Sequence, residues 1–296
     1  MYFLGIAFVS PVALVAAPLA AYLGLQRPAR RDAVCAVGCA LLAVLLCLGA
    51  GDDFEQLERA WVVLLTASLA IVLIATRARG YAASSLLAVA GAGGAAGILM
   101  MMTHLTWGKV AGLVEQHYFL LARALVDIVA PVGNPAREAI NQSLMGGIHM
   151  LSGLLPGLAL LQSLAALALA WALYHRIARQ PQSEPLGSLA GFRFNDHLIW
   201  GVALSLLVVL LPRLTWAKAL GGNLLLFFGG LYLVRGVAVL AAVAAAVGFT
   251  GFLASVLTLF LTVFLMPVVA VAALALGLTD TLVDWRLRLA RTVPKP

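Results

Sequence analysis

Arg235 is the residue in this chain whose type and position most invite chemistry. It lies inside Leu224–Val247, an otherwise apolar run that Asn223 opens. A charge at bilayer depth costs about 2.5–3.5 kcal/mol on insertion scales and turns toward protein or a water-filled cavity. Two roles follow from that cost. Arg235 either pairs internally with an acidic residue or a helix C-terminus, or it serves as a ligand for an anion or polar solute. Asp280, Asp284 and Arg288 form a second group, at i, i+4 and i+8. That spacing predicts one helix face of alternating charge, either where the helix leaves the membrane or where a soluble partner docks. A third group is Phe192-Arg193-Phe194-Asn195-Asp196-His197. Asn195 or Asp196 is placed to cap the helix that follows, and Arg193 and Asp196 are further site candidates.

Other constellations point away from catalysis. Gly49-Ala50-Gly51-Asp52 matches the G-x-G-D string of intramembrane aspartyl proteolysis. That chemistry needs two facing carboxylates, one acid and one base. No Tyr-Asp pair supplies the second carboxylate, so the string is read as a solvated loop. Cys35, Cys39 and Cys47 share one apolar run without a histidine or carboxylate beside them. They are expected as buried helix residues, with neither a disulfide framework nor a metal site. The five histidines are dispersed, and no nucleotide, hydrolase or zinc-protease fingerprint occurs. The expectation is a non-enzymatic protein with no catalytic residue, cofactor or metal.

The elements that must position these residues are helices. Of 296 residues, 63% are hydrophobic and 10% charged, with mean hydropathy +1.04. Soluble domains carry roughly 25% charged residues, so the class is an all-α polytopic helical membrane protein. About eight transmembrane spans are read, at 3–25, 33–50, 61–76, 81–102, 150–174, 198–212, 222–248 and 252–278. The net charge of +7 sits mainly in short loops, as membrane topology requires, and no basic stripe suggests nucleic acid. The partner expected first is the lipid bilayer, in a bacterial inner membrane, with a membrane or soluble protein partner besides. Oligomeric state is left open.

Two finer features complete the organisation. Segment 103–147 is the least apolar. In it Val110, Leu113, Leu120, Leu121, Leu125 and Ile128 share one helical face, and Gln116, Arg123 and Asp127 another. This predicts an amphipathic extramembrane segment, followed by a short helix started by Asn134 and Pro135. Gly93 and Gly97 form a small-xxx-small pair suited to close helix packing. The chain is read as one integral domain, 1–296. It comprises an N-terminal half 1–176, a polar linker 177–196 and C-terminal helices 197–290.

The order of motifs resembles a known family. Leu155-Pro156 lies in the long span and Arg193 to Trp200 enters the next. Asn223 and Arg235-Gly236 follow, and Leu276 to Arg286 closes the set. This ordering resembles the YybS-like family of predicted bacterial membrane proteins. That family is in turn similar to the substrate-binding membrane subunits of energy-coupling-factor vitamin transporters. The resemblance implies a membrane subunit that binds a small solute and docks a partner through an Ala-xxx-Ala face. Ala13, Ala17 and Ala21 have that spacing here. The alternative is a membrane scaffold or assembly protein with no solute.

Overall fold

The computed structural model describes residues 11–25, 30–47, 52–76, 80–130, 134–178, 181, 184–214, 217–246, 266–285 and 288. They contain helices and turns, with no strand among the described residues. In chain order the helices are α1 (Pro11–Leu25), α2 (Arg30–Cys47), α3 (Asp53–Thr76), α4 (Tyr81–Met102) and α5 (Trp107–Val129). Then come α6 (Arg137–Ile177), α7 (Ile199–Leu210), α8 (Lys218–Ala246) and α9 (Met266–Val283). The chain divides into two compact units, Met1–Leu186 and Gly187–Pro296, with the boundary inside the polar stretch 177–196. Four helices are long and apolar enough to cross a bilayer: Asp53–Ala75, Tyr81–Met102, Arg137–Ile177 and Lys218–Ala246. Shorter apolar helices cover Val12–Leu25, Val34–Ala43, Asp196–Leu210 and Pro267–Val283. The fold is therefore that of an all-α polytopic membrane protein. The first half of the expected eighth span, and part of the first, lie outside the described residues.

The first unit is organised around Trp171 of α6. Its ring is fully buried and meets Tyr22 of α1 edge-on at 5.2 Å and Tyr81 of α4 at 5.9 Å. Leu14, Leu23, Leu65 and Leu69 fill in around it. Polar ends of the aromatic residues find partners, as burial requires. Trp61 Nε1 donates to Ser163 Oγ at 2.9 Å and the Tyr81 hydroxyl donates to the Leu164 carbonyl at 2.7 Å. Ala13, Ala17 and Ala21 pack in or against this same core. The alanine stripe is thus used inside the unit and is not a free docking face.

Three expectations are corrected in this unit. The short helix after Asn134 and the fifth span are one continuous helix, α6, of 41 residues. At 1.5 Å per residue it is about 61 Å long, twice the ~30 Å hydrocarbon thickness. Pro156 is carried within it. Asn134 Oδ1 accepts from the Ala136 N–H at 2.9 Å in a turn ahead of the helix rather than capping it. Second, α5 packs on α6 through Val110, Val114, Ala122 and Val126, while Leu120, Leu121, Leu125 and Ile128 stay exposed. Short side chains allow close approach of the two helices, so the packed stripe is rotated away from the leucines. Gln116, Arg123 and Asp127 are exposed, as the polar stripe requires. Third, the glycine of α4 held tightest against another helix is Gly91, beside Ser68 of α3, whereas Gly93 is in ordinary contact range of Leu160 of α6. Gly97 has open space where a β-carbon would stand.

In the second unit α7 and α9 both run antiparallel to α8. A β-carbon at Gly201 of α7 would meet the Phe228 ring, and one at Gly221 of α8 would meet Val208. The α8–α9 crossing is closer still. A β-carbon at Gly236 would overlap the Ala273 carbonyl, and one at Gly277 would overlap the Tyr232 carbonyl. Glycine is required at both positions because backbone, not a flexible side-chain tip, occupies the space.

Candidate functional site

The tight α8–α9 crossing brings Arg235 within reach of Asp280. Helical side chains lean toward the N-terminus of their own helix. In an antiparallel pair the two therefore converge, although their backbones are staggered. Arg235 Nε donates to Asp280 Oδ2 at 2.9 Å, with both residues buried. A second carboxylate comes from the turn before α7. Asn195 Oδ1 accepts from the His197 N–H at 3.0 Å and so caps the 3-10 turn Asp196–Leu198. That turn presents Asp196 Oδ1 to Arg235 Nη1 at 2.6 Å. The Phe194 ring lies beside the guanidinium, 5.4 Å from Cζ to centroid, and packs edge-on against Tyr232 at 5.1 Å.

The two carboxylates differ in one respect. The Asp280 side chain is 0% exposed and that of Asp196 is 63% exposed, against 3% for Arg235. One guanidinium and two carboxylates leave a formal charge of −1. Breaking a buried pair by removing one partner typically costs about 3–5 kcal/mol, so Asp280 holds Arg235 in place. Asp196 makes the same kind of bond from a position that the rest of the unit leaves uncovered.

Arg193 forms an ion pair with Asp284 at the end of α9. Asp284 has φ of 49°, left-handed backbone, and ends the helix. Asp280 and Asp284 therefore do not continue one exposed charged face, as their spacing had suggested. One is buried against Arg235, and the other lies past the helix end against Arg193. Of the six candidates, Arg193, Asp196, Arg235, Asp280 and Asp284 fall into these two ion-paired groups. Asn223 does not. Its side chain donates to the Ala219 carbonyl at 2.8 Å within α8. Thr258 and Thr262, which carry hydroxyls on the apolar run after α8, lie outside the described residues.

An acidic partner for Arg235 was one of the expected readings, but the sequence reasoning did not say which residue, although a signal for it existed. Beyond residue 187 the chain contains three acidic residues, Asp196, Asp280 and Asp284. Any internal counter-charge for Arg235 supplied by this unit had to be one of them.

A guanidinium stays protonated at every physiological pH and offers donors only. It separates the two carboxylates, so they do not form an acid–base dyad. The arrangement holds charge in fixed ion pairs. Among the described residues no group of three metal-ligating side chains occurs.

The first unit carries polar contacts of a different kind. Asp52, of the G-x-G-D string, accepts from the Glu55 N–H at 2.8 Å, capping α3, and pairs with His117 Nδ1 at 3.0 Å. The Glu55 N–H first, then His117, hold its carboxyl below the usual carboxylate range. Glu115 accepts from Ser152 Oγ and meets His149 Nδ1, each at 2.8 Å. These bonds hold its carboxyl below the usual range too, Ser152 contributing most. Glu115 and His149 line a groove of about 430 Å³ between α5 and α6, with Gly112, Gln116, Phe119 and Met145. Both histidine pairs went unread in the sequence because their members lie 65 and 34 residues apart.

No curated protein and no solved structure matches the chain. The model of one family, described as predicted membrane protein (DUF2232), matches residues 1–281. With nearly its whole length covered, the chain belongs to the DUF2232 family of predicted membrane proteins.

Proposed function

We propose that the protein is a non-enzymatic membrane subunit that binds a small solute at the Arg235 centre and acts with a partner protein. The observation that supports this most is the asymmetry around Arg235. A cation buried in an apolar helix is held permanently by Asp280 and met on its other side by the exposed Asp196. Intramembrane charges of this kind mark substrate and ion pathways. The absence of an acid–base pair in this geometry favours binding over turnover. The resemblance to substrate-binding transporter subunits points the same way. The second reading, a scaffold with no solute, draws on how completely the chain's own carboxylates match Arg235.

Thermal unfolding of the full-length protein in lipid nanodiscs tests this. The additives are monocarboxylates, phosphate, alkali cations and neutral amides. Saturating ligand at 100 times its dissociation constant stabilises by about 2.7 kcal/mol. One class should raise the midpoint of the parent protein and leave the charge-balanced Arg235→Leu/Asp280→Asn variant unchanged. Equal response of both proteins, or none to any class, refutes the reading.

A further inference from the structure

Resting on that binding-site reading, the Arg235 centre also indicates the class of solute. We infer that Asp196 is a tethered stand-in for a ligand, and that the site takes a small monocarboxylate when the Asp196 side chain turns outward. The argument starts from where each carboxylate is anchored. Asp280 sits within α9, beside the glycine crossing that locks α9 to α8, so it cannot leave without parting the helices. Asp196 sits on a three-residue 3-10 turn. The Asp196 side chain is largely exposed, whereas Phe194 before it is packed against Tyr232. The Asp196 bond to Nη1 is the one a dissolved carboxylate reaches by displacing a single exposed side chain.

Charge decides between anion classes. A monocarboxylate replaces Asp196 one for one and leaves the formal −1 of the centre unchanged. Phosphate, at about −1.5 to −2 near neutral pH, would crowd further negative charge onto the guanidinium that Asp280 already shares. The Phe194 ring beside the guanidinium gives a carboxylate an apolar wall for its hydrocarbon body. A bare halide would leave that wall unused.

A ligand that competes with a tethered group binds with an apparent dissociation constant equal to its intrinsic one divided by the fraction of time the site is open. Deleting the tethered carboxylate therefore tightens binding. The experiment titrates sodium propionate against the full-length parent, Asp196→Ala and Asp196→Asn in nanodiscs, reading the unfolding midpoint. Propionamide and sodium chloride serve as controls. The expected result is half-saturation at a propionate concentration at least tenfold lower in either variant than in the parent, with neither control acting. The Asn variant keeps the side-chain volume and covers the case in which Ala does not fold. Equal half-saturation in parent and variants overturns the inference, as does an equal response to chloride or propionamide. If the parent responds to another solute class while the variants ignore propionate, this inference falls and the binding-site reading stands. If nothing responds to any class, both fall.

Discussion

Removing the cation from the buried pair should cost far more than removing cation and carboxylate together. Arg235→Leu leaves Asp280, whose side chain is 0% exposed, with no counter-charge from α8. The carboxyl must then hold an unpaired charge in a closed site or take up a proton. For a carboxyl of reference pKa about 3.9, protonation at pH 7 costs about 4 kcal/mol. That agrees with the ~3–5 kcal/mol typical of broken buried pairs. Arg235→Glu adds a third carboxyl beside those of Asp196 and Asp280, and neutralising it costs about 4 kcal/mol more. Arg235→Leu/Asp280→Asn removes both charges and leaves Asp196 free to turn outward. It should fall within about 2 kcal/mol of the parent, since apolar or neutral replacements of buried pairs are often near neutral. Equilibrium unfolding in mixed micelles, followed by tryptophan fluorescence, measures all three alongside folded yield from membranes. The order of stability should be parent, double variant, Arg235→Leu and Arg235→Glu. A single Arg235→Leu variant within 1 kcal/mol of the parent, or a Glu variant that accumulates like the parent, refutes the reasoning.

The remaining expectations concern packing and the polar contacts of the first unit. Gly236→Ala and Gly277→Ala should each lower the unfolding midpoint sharply, because the new β-carbon meets backbone. Gly97→Ala, with open space beside it, should be neutral or slightly stabilising, by up to about 1 kcal/mol. Trp171→Ala should cost about 3–5 kcal/mol, read from the same unfolding curves, by emptying the centre of the first core. Glu115 and Asp52 have depressed carboxyl pKa values in the fold. Their contribution to stability is therefore present above the ordinary carboxylate range, near pH 4, and lost as pH falls through their lower folded values. Glu115→Gln should flatten the acid limb of a stability–pH profile below about pH 4. Cysteines placed at 116, 123 and 127 should react with a membrane-impermeant thiol reagent, since all three positions are exposed. Protection of all three, in intact and opened vesicles alike, contradicts the extramembrane reading of α5.

The apolar runs were legible because bilayer length and hydropathy leave few alternatives, and α1, α2, α4, α7 and α8 fall where those runs lie. The continuity of α6 was not. Its first turns carry Arg137, Glu138, Asn141 and Gln142, and Pro156 interrupts the apolar stretch. Both features suggest separate elements, yet packing against α5 and then against α1 and α4 keeps one helix intact. Arg235 was legible as an inward-facing charge from its position alone. Its partners were not, because carboxylates 39 and 45 residues away are brought to it by helix crossings that local patterns do not encode. The glycines that set the main crossing, Gly236 and Gly277, carry no special spacing from each other. The conspicuous pair, Gly93 and Gly97, sets no close crossing in the first unit.

The claim that Arg235 forms a solute-binding centre is tested most directly by what the protein carries out of its own membrane. The parent and the charge-balanced Arg235→Leu/Asp280→Asn variant are purified in parallel from native membranes, and their bound small molecules are identified by mass spectrometry. The account predicts a carboxylate-bearing molecule retained by the parent at near-stoichiometric level and missing from the folded double variant. The same complement of small molecules on both proteins would contradict it.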